Sequence, residues 1–200
     1  MIPNASGATA TAGQMPTTFR RAANYTVARL SASRSGEIVL DIENPDSIRA
    51  VFDRLPPLDA IVVAAGSGPF GPLDELAEAD FYTAIRGKLM GQVNVVRLAK
   101  EALHEDGSIT LTSGILSRRP WPGSAPVAMV NGALESFVRA AAVDRKGHHR
   151  INVVSPPLIR ETAQKRGMAE AGTPAGEVAN AYVAAVRGEM TGQVLMGNWG

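Results

Sequence analysis

The chain has 200 residues, a formal net charge of +1 and no cysteine. This length predicts one sizeable domain, and the balanced charge gives no broad basic field for nucleic acid. The lack of cysteine excludes thiol catalysis, disulfides and Cys-ligated zinc, and it favours a reducing compartment. With no secretory pattern at Met1 and no apolar run of the roughly 20 residues that a membrane span needs, we expect a soluble cytoplasmic protein.

Short apolar runs alternate with longer amphipathic segments from Glu37 onward. This alternation predicts strands over 37–41, 59–65 and 108–113, from 151, and over 193–196. It predicts helices over 44–55, from 81 through 96, over 126–144 and from 174 to 186, and a turn at Asp106-Gly107. Because parallel neighbours need long connections, strands separated by helices predict a doubly wound parallel α/β sheet.

The first 36 residues fit this pattern less well. Residues 1–5 make a poor first strand, 6–13 stand where a doubly wound fold places its phosphate-binding turn, and 14–23 stand where a helix should follow. Residues 25–30 are expected to be the second strand. The prediction is therefore a single domain over 1–200 with an atypical N-terminal segment, 1–36.

Two of the predicted strands end in hydroxyl or proline residues. One ends at Thr112-Ser113, and the next ends before Pro156-Pro157. In an open parallel sheet, the carboxyl ends of neighbouring strands border the crevice where ligands bind. These residues therefore predict a binding site at one edge of the sheet.

Taken together, these segments resemble the short-chain dehydrogenase/reductase family, which consists of oxidoreductases with a Rossmann-type fold. The match covers residues 7–200 and is closest from Asp41 onward. The resemblance implies a nicotinamide dinucleotide, a small-molecule substrate and a homodimer or homotetramer. The small residues Ala128, Gly132 and Ala133 would let a second subunit's helix approach, or they would pack internally against the sheet.

The resemblance also assigns residues to the cofactor. The family's glycine-rich turn implies pyrophosphate contacts, and its acidic pair lies beside the adenine. Its Asn-Ala-Gly turn is matched by Ala-Ala-Gly, and its Pro-Gly turn over the nicotinamide is matched by a double proline with an apolar contact after it. The implied pyrophosphate contacts are Gly7, Thr9 and Gly13, and the pair beside the adenine is Asp41 and Ile42. The Ala-Ala-Gly turn is Ala64, Ala65 and Gly66. The double proline is Pro156 and Pro157, and the apolar contact after it is Ile159.

Cofactor choice follows from charge at the end of the second strand. Family members that prefer NAD usually carry an acid there, whereas residues 31–35 contain Arg34 and no acid. A guanidinium forms a charge-assisted contact with a phosphate, so NADP is expected in preference to NAD. The alternative is that Arg29 and Arg34 are solvated loop residues.

The family's chemistry uses serine, tyrosine and lysine, helped by an asparagine. Ser113 fits the serine, but Ala128 and Gly132 replace the Tyr-x-x-x-Lys pair. The asparagine position falls on Lys88, which could stabilise an alkoxide or act in acid–base chemistry, or could be an ordinary solvated lysine. Asn131 could orient substrate or satisfy local backbone.

Three other features carry weaker expectations. The loop from Arg118 through Trp121 should overhang the crevice and could select an anionic or aromatic substrate, or could be a surface loop fixed by prolines. His148-His149 is expected to be solvated, and no cluster has metal-ligand spacing, so no metal is expected. The short segment 160–172 predicts a small or open substrate site.

The predicted function is an atypical NADP-dependent oxidoreductase acting on a small carbonyl, alcohol or activated alkene. Ser113 would hold the substrate oxygen, and Lys88 or water would supply the proton. The alternatives are a non-catalytic NADP(H)-binding sensor or assembly protein, and a degenerate protein that no longer binds cofactor. Neither nucleic acid nor a membrane is expected as a partner.

Overall fold

Seven strands form one sheet in the computed structural model, which describes residues 7–11, 20–22, 25–30, 38–165, 167 and 172–197. The strand order is β2-β3-β1-β4-β5-β6-β7, and every neighbouring pair is parallel except β2 with β3. The strands are β1 (Gly7–Thr11), β2 (Arg20–Ala22), β3 (Tyr25–Leu30), β4 (Leu58–Ala64), β5 (Leu103–Thr112), β6 (Arg150–Val154) and β7 (Val194–Leu195). The predicted parallel α/β architecture is confirmed.

Helices connect the strands from β3 onward. They are α1 (Pro45–Phe52), α2 (Glu78–Ala84), a π-helical turn (Ile85–Met90), α3 (Gly91–Leu98), α4 (Ala125–Asp144), α5 (Arg160–Lys165) and α6 (Ala175–Arg187), with 3₁₀ turns at Leu73–Glu75 and Ile115–Ser117. Within the described ranges, none of the helices is long and apolar enough to cross a membrane.

The described core lies around three neighbouring strands, β4, β5 and β6. Side chains of β5 alternate between two buried faces: Ile109 and Leu111 join the main apolar cluster, whereas Ser108 and Thr110 point to the opposite face. Further along that second face, Thr112 Oγ1 lies 2.8 Å from the hydroxyl of Tyr182 on α6. Helices therefore cover both sides of the sheet, as parallel strands require.

The N-terminal segment departs from the prediction. Residues 7–11 form β1, paired with β3 and β4, and are not a turn after a strand at 1–5. Arg20–Ala22, placed in a predicted helix, forms β2 antiparallel to β3. The alternating threonines of 7–11 favour a strand, and pairing on both sides fixes it. The predicted strand at 25–30 is confirmed as β3, while 1–5 lies outside the described residues.

Two smaller predictions also fail. The expected strand at 37–41 has a single bridge residue, Val39, in its described part. The expected turn at Asp106-Gly107 lies inside β5, where the pairing with β4 jumps from Leu58↔Leu103 to Ala60↔Ser108. Here β5 advances by five residues while β4 advances by two, so the regular pairing is interrupted within β5 without ending the strand.

Candidate functional site

The carboxyl ends of β4, β5 and β6 lie at one edge of the sheet. The ladder aligns Val62 with Thr110 and Thr112 with Val154, and the backbone N–H of Ser113 donates to Val154 O at 2.9 Å. This register places Ala64–Gly66, Ser113 and Pro156-Pro157 just beyond neighbouring strand ends. The structure therefore brings together the residues that were predicted to border the crevice.

Gln92 of α3 ties two of these strand ends together. Its Nε2 donates to Ala65 O at 3.2 Å and to Thr112 O at 2.9 Å, and its Oε1 accepts from Thr112 N at 2.9 Å. The side chain has no exposed surface. Sequence reasoning missed this residue, although a glutamine within an otherwise apolar helical stripe is a signal for such a role.

Lys88 lies in the π-helical turn and reaches the same edge. It is 7 % exposed, and its Nζ donates to Ser113 O at 2.8 Å. Gly66 allows this close approach, because a Cβ there would lie 2.7 Å from Lys88 Cα, and its φ of +102° also favours glycine. The alternative of a solvated lysine is therefore wrong.

Burial changes the acid–base properties of Lys88. Desolvation lowers the pKa of its amine from 10.5 to about 8, because the charged form loses its hydration. An ammonium carries three donor protons. Only one of them is used by the residues that the structure describes, in the bond to Ser113 O, so the cation keeps unused donor capacity.

The hydroxyl of Ser113 faces a buried carboxylate. Ser113 Oγ donates to Glu135 Oε1 at 3.0 Å, and Val154 O is a more distant acceptor at 3.5 Å. Glu135 also accepts from Ser117 Oγ at 2.8 Å and forms an ion pair with Arg118 Nη2 at 2.7 Å. Glu135 and Arg118 were not predicted to lie together, and a lone acid on the apolar stripe of α4 is the signal that was available.

Asn131 lies one turn before Glu135 on the buried face of α4. Its Nδ2 donates to Gly114 O at 3.3 Å, which supports the local backbone. Its buried Oδ1 has no hydrogen-bond partner among the described residues. By contrast, Ala128 and Gly132 are half-buried, and a Cβ on Gly132 would meet no atom within 4 Å. Asn131 therefore has a free acceptor at the site.

Several predicted cofactor residues lie elsewhere or outside the description. Gly7 and Thr9 are inside β1, so their predicted place in a turn is corrected. Gly13 and Arg34 lie outside the described residues, as does the predicted helix apart from β2.

Asp41 and Ile42 lie just before α1. Asp41 is exposed, and its Oδ1 accepts from Glu43 N at 2.9 Å. Ile42 is buried against Gly91, where a Cβ would come within 2.7 Å of its Cδ1. Ile42 therefore anchors the loop before α1 to the start of α3, and the remaining acceptor capacity of Asp41 faces solvent.

The double proline links two loops at the sheet edge. Pro156 O accepts from Ile115 N at 2.9 Å, which ties the loop after β6 to the loop after β5. Pro157 is half-buried, and Ile159 forms an isolated parallel bridge with Thr173 before α5. The segment 160–172 thus contains a short helix, with 166 and 168–171 outside the described residues.

The loop from Arg118 through Trp121 is fixed by more than its prolines. Arg118 is bound to Glu135, and further along the loop Gly123 O accepts from Gly71 N at 3.0 Å. Trp121 remains 40 % exposed. The loop therefore docks on the chain that follows β4, with an aromatic side chain at its surface.

The prediction that both adjacent histidines are solvated is wrong for His149. It is 6 % exposed, and its Nδ1 lies 3.1 Å from Arg145 Nη1. Burial first, and then the charge of Arg145, lower the pKa of His149. In the described part of the chain, no group of three or more acidic or histidine side chains could hold a metal ion.

The chain's relationship to known proteins agrees with this geometry. A family model described as enoyl-(acyl carrier protein) reductase matches residues 4–195. A short-chain dehydrogenase/reductase from Acremonium sp, ucsE, is 33 % identical over 106 residues, which is 52 % of this chain and 40 % of that protein. The chain belongs to the short-chain dehydrogenase/reductase family.

Other known proteins are similar over different lengths. The hydroxynaphthalene reductase arp2 of Aspergillus fumigatus is 32 % identical over 56 % of this chain and 42 % of its own length. The chain thus matches less than half the length of these curated relatives. The solved protein lin1944 from Listeria innocua is 37 % identical with a TM-score of 0.80, covering 86 % of each chain. A small-chain dehydrogenase solved with NADPH shares the fold at a TM-score of 0.81 and 24 % identity, over 96 % of each chain.

Proposed function

We propose that this short-chain dehydrogenase/reductase is an NADP(H)-dependent oxidoreductase that acts on a small carbonyl, alcohol or activated alkene. The observation that carries the proposal is the buried ammonium of Lys88, which has unused donors beside Ser113 at the carboxyl edge. A buried charge with few partners costs free energy. Its presence where ligands bind in this fold supports a functional role rather than a structural one.

The buried polar atoms fit a hydroxyl-bearing ligand such as a nicotinamide ribose or an alcohol. Asn131 Oδ1 is an acceptor without a partner among the described residues, and Lys88 has spare donors. A hydroxyl can donate to the first and accept from the second. Lys88 and Asn131 would therefore hold hydroxyls, and Gly66, Pro156 and Pro157 would border the ring.

The other cofactor contacts follow the family pattern and remain proposals. Gly13 and Arg34 would hold phosphates, Asp41 and Ile42 would lie beside the adenine, and Ala64, Ala65 and Ile159 would line the path between them. Arg34 supports NADP over NAD, because a guanidinium pairs well with the additional phosphate. The NADPH found in the small-chain dehydrogenase of the same fold is consistent with this choice.

Lys88 would donate a proton to the substrate oxygen or accept one from it. A bound nicotinamide would supply or take up the hydride at the substrate carbon. With a pKa of about 8, the Lys88 amine is largely protonated at neutral pH yet able to give up its proton. Its positive charge would stabilise an alkoxide, and Ser113 would contact the same oxygen.

Two measurements test this function. Titration of the purified protein with NADPH, followed by nicotinamide fluorescence, should show saturable binding. NADPH oxidation over a panel of small carbonyls and activated alkenes should then fall at least tenfold in Ser113→Ala and in Lys88→Ala. Lys146→Ala, which removes an exposed lysine, should keep the wild-type rate.

Two outcomes would contradict the proposal. Absence of NADPH binding would exclude the cofactor assignment altogether. Binding without turnover above that of both site variants would favour the alternative of a non-catalytic NADP(H)-binding sensor or assembly protein.

We also propose a homodimer or homotetramer that works in the cytoplasm. The face of α4 that carries Ala128, Gly132 and Ala133 is half-buried, and Met129 beside it is 42 % exposed. A second copy's helix could approach this face closely because its side chains are small. Size-exclusion chromatography with light scattering should show a mass of two or four chains, and a monomer would contradict the proposal.

A further inference from the structure

The single proton of the Ser113 hydroxyl has one near acceptor. Glu135 Oε1 lies 3.0 Å from Ser113 Oγ, and the alternative acceptor Val154 O lies at 3.5 Å. The carboxylate is 5 % exposed and also accepts from Ser117 Oγ and from the guanidinium of Arg118. A carboxylate ion-paired in this way is a strong acceptor, so it takes the Ser113 proton in preference to a neutral carbonyl.

This arrangement determines what Ser113 can offer to a ligand. A hydroxyl whose proton is already donated presents only its lone pairs. Lys88, which donates to the carbonyl of the same residue, presents protons instead. A ligand hydroxyl satisfies both groups, since it donates to Ser113 Oγ and accepts from Lys88 Nζ. A ligand carbonyl satisfies Lys88 alone.

We infer that Glu135 is a positioning residue that makes Ser113 a hydrogen-bond acceptor, so that the site recognises its substrate oxygen as a hydroxyl group. The inference rests on the proposed function and narrows its substrate to the alcohol form. Arg118 has a supporting role, because it binds Glu135 Oε2 and so leaves Oε1 directed at Ser113 and Ser117.

The variant Glu135→Gln reverses the polarity of this contact with little change in shape. Of the two ends of the amide, only the oxygen can accept from Arg118 Nη2, so the amide nitrogen turns toward Ser113 and Ser117. That nitrogen donates to the Ser113 hydroxyl oxygen, and the hydroxyl proton must then point elsewhere. The Ser113 proton then points to Val154 O, at 3.5 Å, or toward the site, and one lone pair of Ser113 Oγ is used by the amide.

Neutron diffraction from crystals of the deuterated wild-type protein at neutral pH tests the inference directly. The expected result is a deuterium on the line from Ser113 Oγ to Glu135 Oε1, with none on the carboxylate. In Glu135→Gln that deuterium should leave the line, and in the control Ser117→Ala it should stay. A Ser113 deuterium directed at Val154 O or at the crevice in the wild type would overturn the inference.

The consequence for recognition is tested with a matched pair of probes, cyclohexanol and cyclohexanone. Their dissociation constants are measured by isothermal titration calorimetry on the protein loaded with a tetrahydro analogue of NADPH, which cannot transfer a hydride and so leaves both probes unreacted. Glu135→Gln should weaken cyclohexanol relative to cyclohexanone on the order of tenfold, the value of one charge-supported hydrogen bond. Equal weakening of both probes would show a merely structural role and overturn the inference. Because the neutron map needs neither cofactor nor substrate, failure of NADPH binding would end the proposed function and leave the hydroxyl orientation standing.

Discussion

Lys88 and Arg150 are two cations at opposite ends of the sheet, and their hydrogen bonding differs. Arg150 begins β6 and donates to three carbonyls near the end of α6, those of Ala185, Val186 and Gly188. Lys88, at the carboxyl edge, donates to one carbonyl of the described residues. Arg150 is half-buried, whereas Lys88 is 7 % exposed.

The difference separates a structural cation from one kept for a ligand. Helix ends leave carbonyls without partners, and a guanidinium that binds them satisfies both groups at once. The donors of Arg150 are thus used by the protein itself. Lys88 has lost hydration and has gained one hydrogen bond among the described residues, so a ligand that binds the ammonium would recover part of the free energy of its burial.

A substitution at Gly66, which packs against Lys88, should give the largest effect on stability. Gly66→Ala places a methyl group 2.7 Å from Lys88 Cα at a φ of +102°. Overpacking and the left-handed backbone together should cost about 3 kcal/mol of unfolding free energy. Urea denaturation measures this loss.

Gly176→Ala is the matched control, because its Cβ meets no atom within 4 Å in the exposed first turn of α6, away from the proposed subunit contact. It should stabilise the protein by roughly 0.5–1 kcal/mol. Equal stability of Gly66→Ala and the wild type would show that Lys88 does not need this close approach.

The buried amine itself should give the next largest effect. The pKa of Lys88 is about 8 in the folded protein and 10.5 when unperturbed, so the unfolded chain binds the proton more tightly. Wild-type stability, measured against Lys88→Met, should therefore rise by about 3 kcal/mol as the pH increases from 8 to 10.5, and fall again on acidification.

Denaturant titrations across this pH range provide the measurement. Lys146→Met, at an exposed position, should show no such pH-dependent difference from the wild type. A constant difference between the wild type and Lys88→Met would mean that the amine is hydrated in solution.

Arg150 tests the other side of the comparison. Arg150→Met leaves the α6 carbonyls without their charged donor and should cost about 2 kcal/mol in urea denaturation. NADPH affinity should be unchanged, since the residue lies at the far end of β6. Arg139→Met, at an exposed site on α4, should have little effect on stability. Loss of NADPH affinity in Arg150→Met would contradict the conclusion that Arg150 is a structural cation and Lys88 a ligand-binding one.

We expect the smallest effect at His149, in the same region as Arg150. Burial and the charge of Arg145 lower the pKa of His149 below 6.5. The unfolded chain therefore binds this proton more readily than the folded protein does. The contribution of neutral His149 to the free energy of unfolding is fully present above pH 6.5, and it is lost as the pH falls through the lower pKa of the folded protein. His149→Gln should remove this dependence in thermal denaturation, whereas His148→Gln should retain it. An identical acid response of both variants would contradict the assignment.

The sequence predicted most of the fold because hydrophobic periodicity is strong after Asp41. The helices around Val96 and Leu134 and the strands at Ile61 and Ile151 carry regular apolar spacing, and the structure confirms them. The N-terminal strands were missed because alanine, glycine and threonine give only a weak local preference there. Pairing with β3 and β4, which local sequence does not show, determines β1.

The candidate site was predictable only in part, for a similar reason. Ser113 follows a clear strand, and family resemblance pointed to Lys88, so both positions could be named. Glu135 and Gln92 were not named, because a place on an apolar helical stripe indicates burial but does not show which group the polar side chain binds. Their roles depend on which strand end lies opposite them.

The π-helical turn at Ile85–Met90 has a consequence for how insertions and deletions act on this protein. Such a turn contains one residue more than an α-helical turn, and each α-helical residue advances the chain by about 100°. Removing one residue there would restore an unbroken α-helix and rotate one half against the other. Either Lys88 would swing away from Ser113 O, or fully buried Ala84 would leave its pocket. The number of residues in this short stretch, as much as their chemistry, aims the amine at the strand end.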